Sequence, residues 1–327
     1  MNICIVDHGK PIPARKYGGT ERVIWGLGKS LQKMGHKVTF LVPEGSTSDF
    51  AEVLILNKEA DLNSQIPDHI DFVHLNLFPL TPLKKPYLIT CHGNVPEKGL
   101  LDRNIVFISK NHAERYNGQS FVHNGLNWED YPAPNLSTAR EGYHFLGKAD
   151  WKVKNLMGAI KIAARNETKL HIIGGKKWTF RNMKRGLFHL FNHNLTFHGL
   201  LGDKEKTEIM HSSKGLIFPV NWNEPFGLAI IESMYAGCAV FGTPNGSLPE
   251  LVTPETGFLG KSVEEIAEAM NTFDYNPKLC HEYAVKNFNS DKMAKEYFKL
   301  YEKVLNGEFL NENPIYDPGK NKIHYKI

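Results

Sequence analysis

Short apolar runs alternate with longer stretches of helical period along nearly the whole chain. In the first half the runs lie at residues 3–6, 38–42, 53–56, 72–75, 87–90, 105–108 and 121–122, each of strand length. Between the first two, Val23, Ile24, Leu27, Leu31 and Met34 recur on one helical face, from near Thr20 to a stop at Gly35. Strand, glycine loop, helix, strand is the opening of a doubly wound sheet. The pattern breaks at 127–142, where Pro132, Pro134, Asn135, Ser137 and Thr138 read as an interdomain linker. A second series then follows, with strands at 143–146, 170–174, 195–197, 216–220 and 239–242. Its helices run from Asn155, over 180–191, from Lys204 and over 227–236. Helices at 263–273, 278–288 and 291–305 close the chain, before a polar tail from Asn306 that reads as loose. The prediction is an α/β protein of two doubly wound, parallel-sheet, Rossmann-like domains with a ligand cleft between them. They are expected at 1–138, with the linker, and at 139–290. Residues 291–327 would add a helix that packs back on the first domain, and the tail.

Bulk properties narrow the class. A length of 327 residues suits two domains, and 41% hydrophobic with 23% charged residues suits globular cores. A net charge of +4 offers no clustered excess of cations for nucleic acid, so no nucleic-acid partner is expected. No apolar run approaches the roughly 20 residues of a membrane span. No basic, apolar leader precedes the first strand. Cys4, Cys91, Cys238 and Cys280 are widely spaced, without a C-x-x-C pair. That is free-thiol usage, and it predicts a cytoplasmic protein.

The chemistry concentrates in residues 219–232, P-V-N-W-N-E-P-F-G-L-A-I-I-E. The 227–236 helix is apolar nearly all round, which predicts a buried helix whose one ionisable residue is Glu232. A buried carboxylate is costly unless donors satisfy it, and a ribose diol supplies two. At a helix start the N–H groups of Phe226, Gly227 and Leu228 are expected to face an anion, which is favoured there, and Gly227 permits close approach. Gly227 and Glu232 are separated by roughly 7–8 Å along the helix, about the span from a phosphate to its ribose. The plainer alternative is that Glu232 pairs with an Arg or Lys and that Glu224 is a solvated loop residue.

This segment resembles the E-x7-E signature of retaining glycosyltransferases in glycosyltransferase family 4. The E-P-F-G, apolar helix, E-x-M-x-x-G and apolar strand of that family match Glu224 through Val240. T-P-N-G-S-L-P-E-L-V from Thr243 and T-G-F from Thr256 are similar to its glycine-rich loop and T-G-F/L element, with Asn245 where the family often has Gly. Tyr17-Gly18-Gly19-Thr20-Glu21-Arg22 resembles the family's G-G-x-E-R loop, Thr90-Cys91-His92-Gly93 its T-x-H-G, and His123-Asn124-Gly125 its N-G turn. Leu195-Thr196-Phe197-His198-Gly199 resembles its V-x-F-x-G strand. Gly147-Lys148 with Lys154-Asn155 resembles its G-R…K-(G/N) element, with Lys148 in place of a bidentate Arg. Alone, His92 would be read as a structural partner and each lysine as a solvated one.

The resemblance implies the GT-B fold and transfer of a sugar, with retention, from a nucleotide sugar to a hydroxyl. It assigns Glu224 to the donor-sugar hydroxyls, Glu232 to the ribose, and Lys148 and Lys154 to the diphosphate. Phe226, Gly227 and Leu228 bind phosphate, Gly18 and Gly19 line the donor site, and His92 serves the sugar or developing charge. No D-x-D is present, so neither a metal nor any other cofactor is expected. A UDP-sugar is the favoured donor, on family frequency. The acceptor is a hydroxyl that the sequence does not name, a lipid-linked glycan being one candidate, because the loops 9–17 and 95–102 would set it. Residues 168–202 hold six basic residues and no acid. They read either as a peripheral membrane-surface helix or, as we favour, as an ordinary sheet-covering helix with a basic outer face. The rival functions are a nucleotide-sugar epimerase of the same fold and a non-catalytic nucleotide-sugar binder. A nicotinamide dehydrogenase is disfavoured because no G-x-G-x-x-G follows Val6.

Overall fold

The computed structural model describes residues 1–14, 18–95, 99–175, 193–316 and 325–327. The chain forms two compact units, Met1–Asp130 with Asn287–Asn321, and Tyr131–Lys286 with Lys322–Ile327. The boundary therefore falls at Asp130/Tyr131 rather than at 138.

The first unit contains β1 (Asn2–Val6), α1 (Gly19–Lys33), β2 (Lys37–Val42), β3 (Glu52–Ile55), β4 (Phe72–Leu75), β5 (Tyr87–Cys91), β6 (Gly99–Leu100), β7 (Ile105–Phe107) and α2 (Lys110–Arg115). Six strands form one parallel sheet in the order β3-β2-β1-β4-β5-β7. The apolar stripe of α1 buries Val23, Ile24, Leu27 and Leu31. Gly28 lets the helix sit on Phe40, whose ring a Cβ there would meet at 2.3 Å.

The second unit contains β8 (Tyr143–Leu146), α3 (Leu156–Arg165), β9 (Leu170–Ile173), β10 (Leu195–Gly199), α4 (Asp203–Ser212), β11 (Gly215–Phe218), α5 (Leu228–Tyr235), β12 (Ala239–Gly242), α6 (Leu248–Leu251), β13 (Gly257–Leu259), α7 (Val263–Thr272) and α8 (Pro277–Asn287). Its sheet, β10-β9-β8-β11-β12-β13, is parallel and repeats the 3-2-1-4-5-6 order of the first. In such a sheet the order reverses between the first and fourth strands, and ligands bind beyond the carboxyl ends there. The switch lies between β1 and β4 in the first unit, and between β8 and β11 in the second.

After α8 the chain rejoins the first unit as α9 (Ser290–Leu305) and β14 (Ile315–Tyr316). The Ser30 hydroxyl of α1 donates to Asp291 Oδ1 at 2.6 Å and lies 2.8 Å from Ser290 Oγ. Tyr297 and Tyr301 of α9 are fully buried on the sheet. Tyr301 Oη lies 2.7 Å from His74 Nδ1, His74 Nε2 lies 2.8 Å from Thr90 Oγ1, and Thr90 donates to Tyr297 at 2.9 Å.

Several sequence expectations need correction. Residues 121–122 make a single parallel bridge, Phe107 to Phe121, rather than a strand, because Phe121 is exposed and the pairing goes no further. The antiparallel pair β6–β14, the short α2 and α6, and the edge strand β13 lacked a periodic signal. The 127–142 segment is anchored as well as connecting. Arg140 is buried, with its guanidinium donating to the Ala236 and Ser213 carbonyls at 2.7 and 3.2 Å. Nor is the tail from Asn306 uniformly loose. Buried Asn311 donates to the Ile105 and Arg103 carbonyls and accepts from the Gln119 and Ser120 N–H groups. The carbonyls of Tyr325 and Ile327 accept from Asn245 and Asn155 in the second unit, at 2.8 and 2.9 Å. The helix expected at 180–191, and five of the six basic residues of the stretch around it, lie outside the described residues, as do parts of the loops 9–17 and 95–102.

Candidate functional site

Two connections beyond the switch point of the second unit carry most of the expected residues. The chain leaves β8 through Gly147 and Lys148, turns once at Lys152–Lys154, and enters α3 at Asn155. Asn155 has φ +54°, and its Oδ1 caps the helix by accepting from Gly158 N at 3.1 Å. Its Nδ2 donates to the Pro219 carbonyl at 2.9 Å, which ties the turn after β8 to the loop after β11. Lys154 is thereby held over that loop. Its Nζ lies 2.7 Å from Glu224 Oε2 and 5.1 Å from the ring centres of Phe218 and Trp222.

Glu224 is 5% exposed, so it is not the solvated loop residue of the plainer reading. Its Oε2 also accepts from Trp222 Nε1 at 2.7 Å. The loop carrying it is fixed by the loop after β12. There Ser247 N donates to the Glu224 carbonyl at 2.9 Å, Ser247 Oγ to the Phe226 carbonyl at 2.6 Å, and Thr243 Oγ1 to the Val220 carbonyl at 2.7 Å. Gly246 has φ +68°, and a Cβ there would stand 2.2 Å from Glu224 N, so only glycine fits. Asn245 is used rather than tolerated: its Nδ2 bridges the Val220 and Tyr325 carbonyls.

Buried Phe226 anchors the entry to α5, and Gly227 takes φ +95° at its N-cap. The Gly227 carbonyl accepts from Ile230 N at 2.9 Å, which closes the first turn of the helix. The helix is not buried all round. Ile230, Ile231, Ser233 and Met234 are buried, whereas Leu228, Ala229 and Glu232 are half-buried along one side. Glu232 Oε1 accepts from Lys206 Nζ of α4 at 2.8 Å and from Tyr131 Oη at 3.1 Å. The plainer expectation of a lysine partner is therefore met, with the two side chains 13% and 11% exposed. Lys148 stacks its ammonium 4.4 Å over the Trp151 ring, which meets Trp222 edge-on at 6.3 Å.

In the first unit, Gly18 caps α1 and Gly19 opens it. A Cβ on Gly18 would meet Glu21 Oε2 at 2.8 Å. His92 follows β5, and its Nε2 lies 2.8 Å from Asn76 Oδ1, just beyond β4. An amide oxygen only accepts, so Nε2 carries the proton and Nδ1 is the acceptor nitrogen. Burial pulls the His92 pKa down to about 4, which makes the ring neutral at pH 7. A neutral ring of this kind can both donate and accept a hydrogen bond. Asp7, immediately after β1, is also buried. Its carboxyl is raised above the usual range by burial and by nearby Glu21, against the opposing hydrogen bond from Gly9 N at 3.0 Å.

The structure thus brings Lys154 to Glu224, and places the first turn of α5 and Glu232 along one helix. Sequence reading missed Trp222, Tyr131, Lys206, Asn76 and Asp7. For Asp7 and Asn76 a signal existed, since both stand at the carboxyl end of a strand beside the switch point. For Tyr131 and Lys206 none did, because their meeting with Glu232 is purely tertiary. Among the described residues, no group of three or more His, Cys, Asp or Glu side chains could hold a metal, and no helix is long and apolar enough to cross a membrane.

Comparison with known proteins agrees with this architecture. Residues 135–289 match the family described as glycosyl transferases group 1. An uncharacterized 41.2 kDa protein of the Klebsiella pneumoniae cps region is 27% identical over 169 residues, or 48% of this chain and 45% of the relative. The chain thus spans less than half the length of that relative. A phosphatidyl-myo-inositol mannosyltransferase of Propionibacterium freudenreichii is 22% identical over 312 residues, covering 76% of this chain and 80% of that protein. Among solved structures, AviGT4, a glycosyltransferase involved in avilamycin A biosynthesis, superposes with a TM-score of 0.78 at 17% identity, over 95% and 99% of the two chains. Anabaena HepE, solved with UDP and glucose, gives 0.64 at 14% identity, over 92% and 99%. The fold is GT-B: two parallel-sheet, Rossmann-like domains.

Proposed function

We propose that this protein is a nucleotide-sugar-dependent glycosyltransferase that acts with retention on a hydroxyl acceptor in glycan or cell-envelope synthesis. The observation that carries the reading is the Lys154–Glu224 pair beside the start of α5, with Glu232 further along the same helix. A diphosphate at the helix start would meet the N–H groups there, Gly227 and Lys154, with Lys148 as a second cation. The ribose would lie toward Glu232 and the sugar toward Glu224. As the bond from the anomeric carbon to the β-phosphate oxygen breaks, the phosphate keeps the electron pair. Cations and N–H groups fixed in place would stabilise that charge. The acceptor hydroxyl bonds to the same carbon, on the face the diphosphate leaves, and gives its proton to the departing β-phosphate oxygen. UDP-sugars are the favoured donors: HepE was solved with UDP and with UDP-glucose.

The test is incubation with UDP-, GDP- and ADP-sugars, with and without candidate acceptors, following free nucleoside diphosphate. Slow release without acceptor, faster with one and insensitive to excess chelator, supports a metal-independent transferase. Isomerised nucleotide sugar instead points to an epimerase, and binding without turnover to a non-catalytic binder. A rate abolished by chelator and restored by Mg²⁺ or Mn²⁺ overturns metal independence.

A further inference from the structure

Glu224 and Glu232 are held in the same way. In each, one carboxylate oxygen takes two donors, a lysine ammonium and an aromatic side chain. Glu224 Oε2 takes Lys154 Nζ and Trp222 Nε1, both at 2.7 Å. Glu232 Oε1 takes Lys206 Nζ at 2.8 Å and Tyr131 Oη at 3.1 Å. The second oxygen of each accepts no hydrogen bond among the described residues, and neither is a buried, unsatisfied atom. Two donors on one oxygen fix the plane of a carboxylate and leave its other oxygen to a ligand. The rings are braced in turn: Trp222 meets Trp151 edge-on at 6.3 Å, and Tyr131 meets Tyr235 edge-on at 5.9 Å.

We infer that Trp222 and Tyr131 are positioning residues that aim Glu224 Oε1 at the donor sugar and Glu232 Oε2 at the ribose. The inference rests on the donor reading above and assigns two residues that it leaves idle. The aromatic donors matter because the lysines are not dedicated to the carboxylates. When a diphosphate arrives, Lys154 is drawn toward it, and the indole N–H is what still holds Glu224. Trp222 and Tyr131 thus act on opposite ends of the donor, and their losses separate.

Trp222→Phe keeps a smaller ring beside Lys154 and Trp151 and removes the N–H together with part of the indole. Tyr131→Phe removes only the hydroxyl. A hydrogen bond to a charged group corresponds to a change of roughly ten- to hundredfold. The probes are UDP with UDP-glucose, GDP with GDP-mannose and ADP with ADP-glucose, using whichever pair the wild type turns over. For Trp222→Phe, kcat falls by that factor while the calorimetric Kd for the diphosphate stays at the wild-type value. For Tyr131→Phe, the diphosphate Kd rises by that factor while kcat at saturating donor is kept. The parameter each variant retains shows that it is folded. Variants that shift both constants together, or neither, overturn the positioning roles and leave the donor reading standing. A wild type that binds and turns over none of the three pairs overturns the donor reading itself.

Discussion

Lys154 Nζ lies 2.7 Å from Glu224 Oε2, with the lysine side chain 14% and the glutamate side chain 7% exposed. A charge pair so far withdrawn from water is costly to break by removing one partner. In the ligand-free protein each group is the other's counter-ion. In the proposed donor complex a diphosphate would draw the ammonium away, because it offers more negative charge, while Trp222 keeps its hydrogen bond to the carboxylate.

Replacing Lys154 by Ala removes that cation from both partners. Affinity for the nucleoside diphosphate should fall by about 1.5–3 kcal/mol, and the transfer rate should fall further, since charge on the leaving phosphate is greatest in the transition state. Titration calorimetry and initial rates check this. A wild-type rate in the variant would remove Lys154 from the donor site.

Glu224→Gln keeps the shape and one acceptor but removes the charge. Diphosphate binding should stay close to wild type while turnover of the intact donor drops by orders of magnitude, a loss that belongs to kcat. Equal loss of both would place Glu224 in the nucleotide site and reverse the proposed direction of the donor along α5.

Glu232→Ala should weaken diphosphate binding by about 1.5–3 kcal/mol without unfolding the second unit. Lys206 keeps a carboxylate nearby in Asp203, at 3.5 Å. The readouts are calorimetry and thermal unfolding, and unchanged nucleotide affinity would refute the ribose assignment.

Acid should destabilise the protein before its carboxylates titrate. Burial lowers the pKa of His74 and His144 to about 3 and of His92 to about 4, and it pushes His112 well below the usual value near 6.5. Between about pH 6.5 and 4 the unfolded chain binds protons that the folded chain refuses, so stability falls as pH falls. Each such group contributes up to about 1.4 kcal/mol per pH unit across that window. Denaturant midpoints at pH 7.5, 6 and 5 test the trend, and His74→Phe should reduce its slope by one histidine's share. A flat profile from pH 7.5 to 5 would contradict neutral burial of these rings.

The sequence by itself determined the two parallel sheets and nearly all their strands, because apolar runs of strand length between helical stripes have no other economical burial. It also determined the segment from Glu224 to Glu232, since two glutamates around a glycine helix start are a local pattern. Tertiary structure alone decided what those glutamates touch. Lys154 precedes Glu224 by 70 positions, and Tyr131 precedes Glu232 by 101, distances over which no periodicity speaks. It likewise decided that Arg140, in an apparent linker, and Asn311, in an apparent tail, are buried. Both satisfy backbone carbonyls that the fold leaves unpaired, and a need of that kind exists only once the chain has folded.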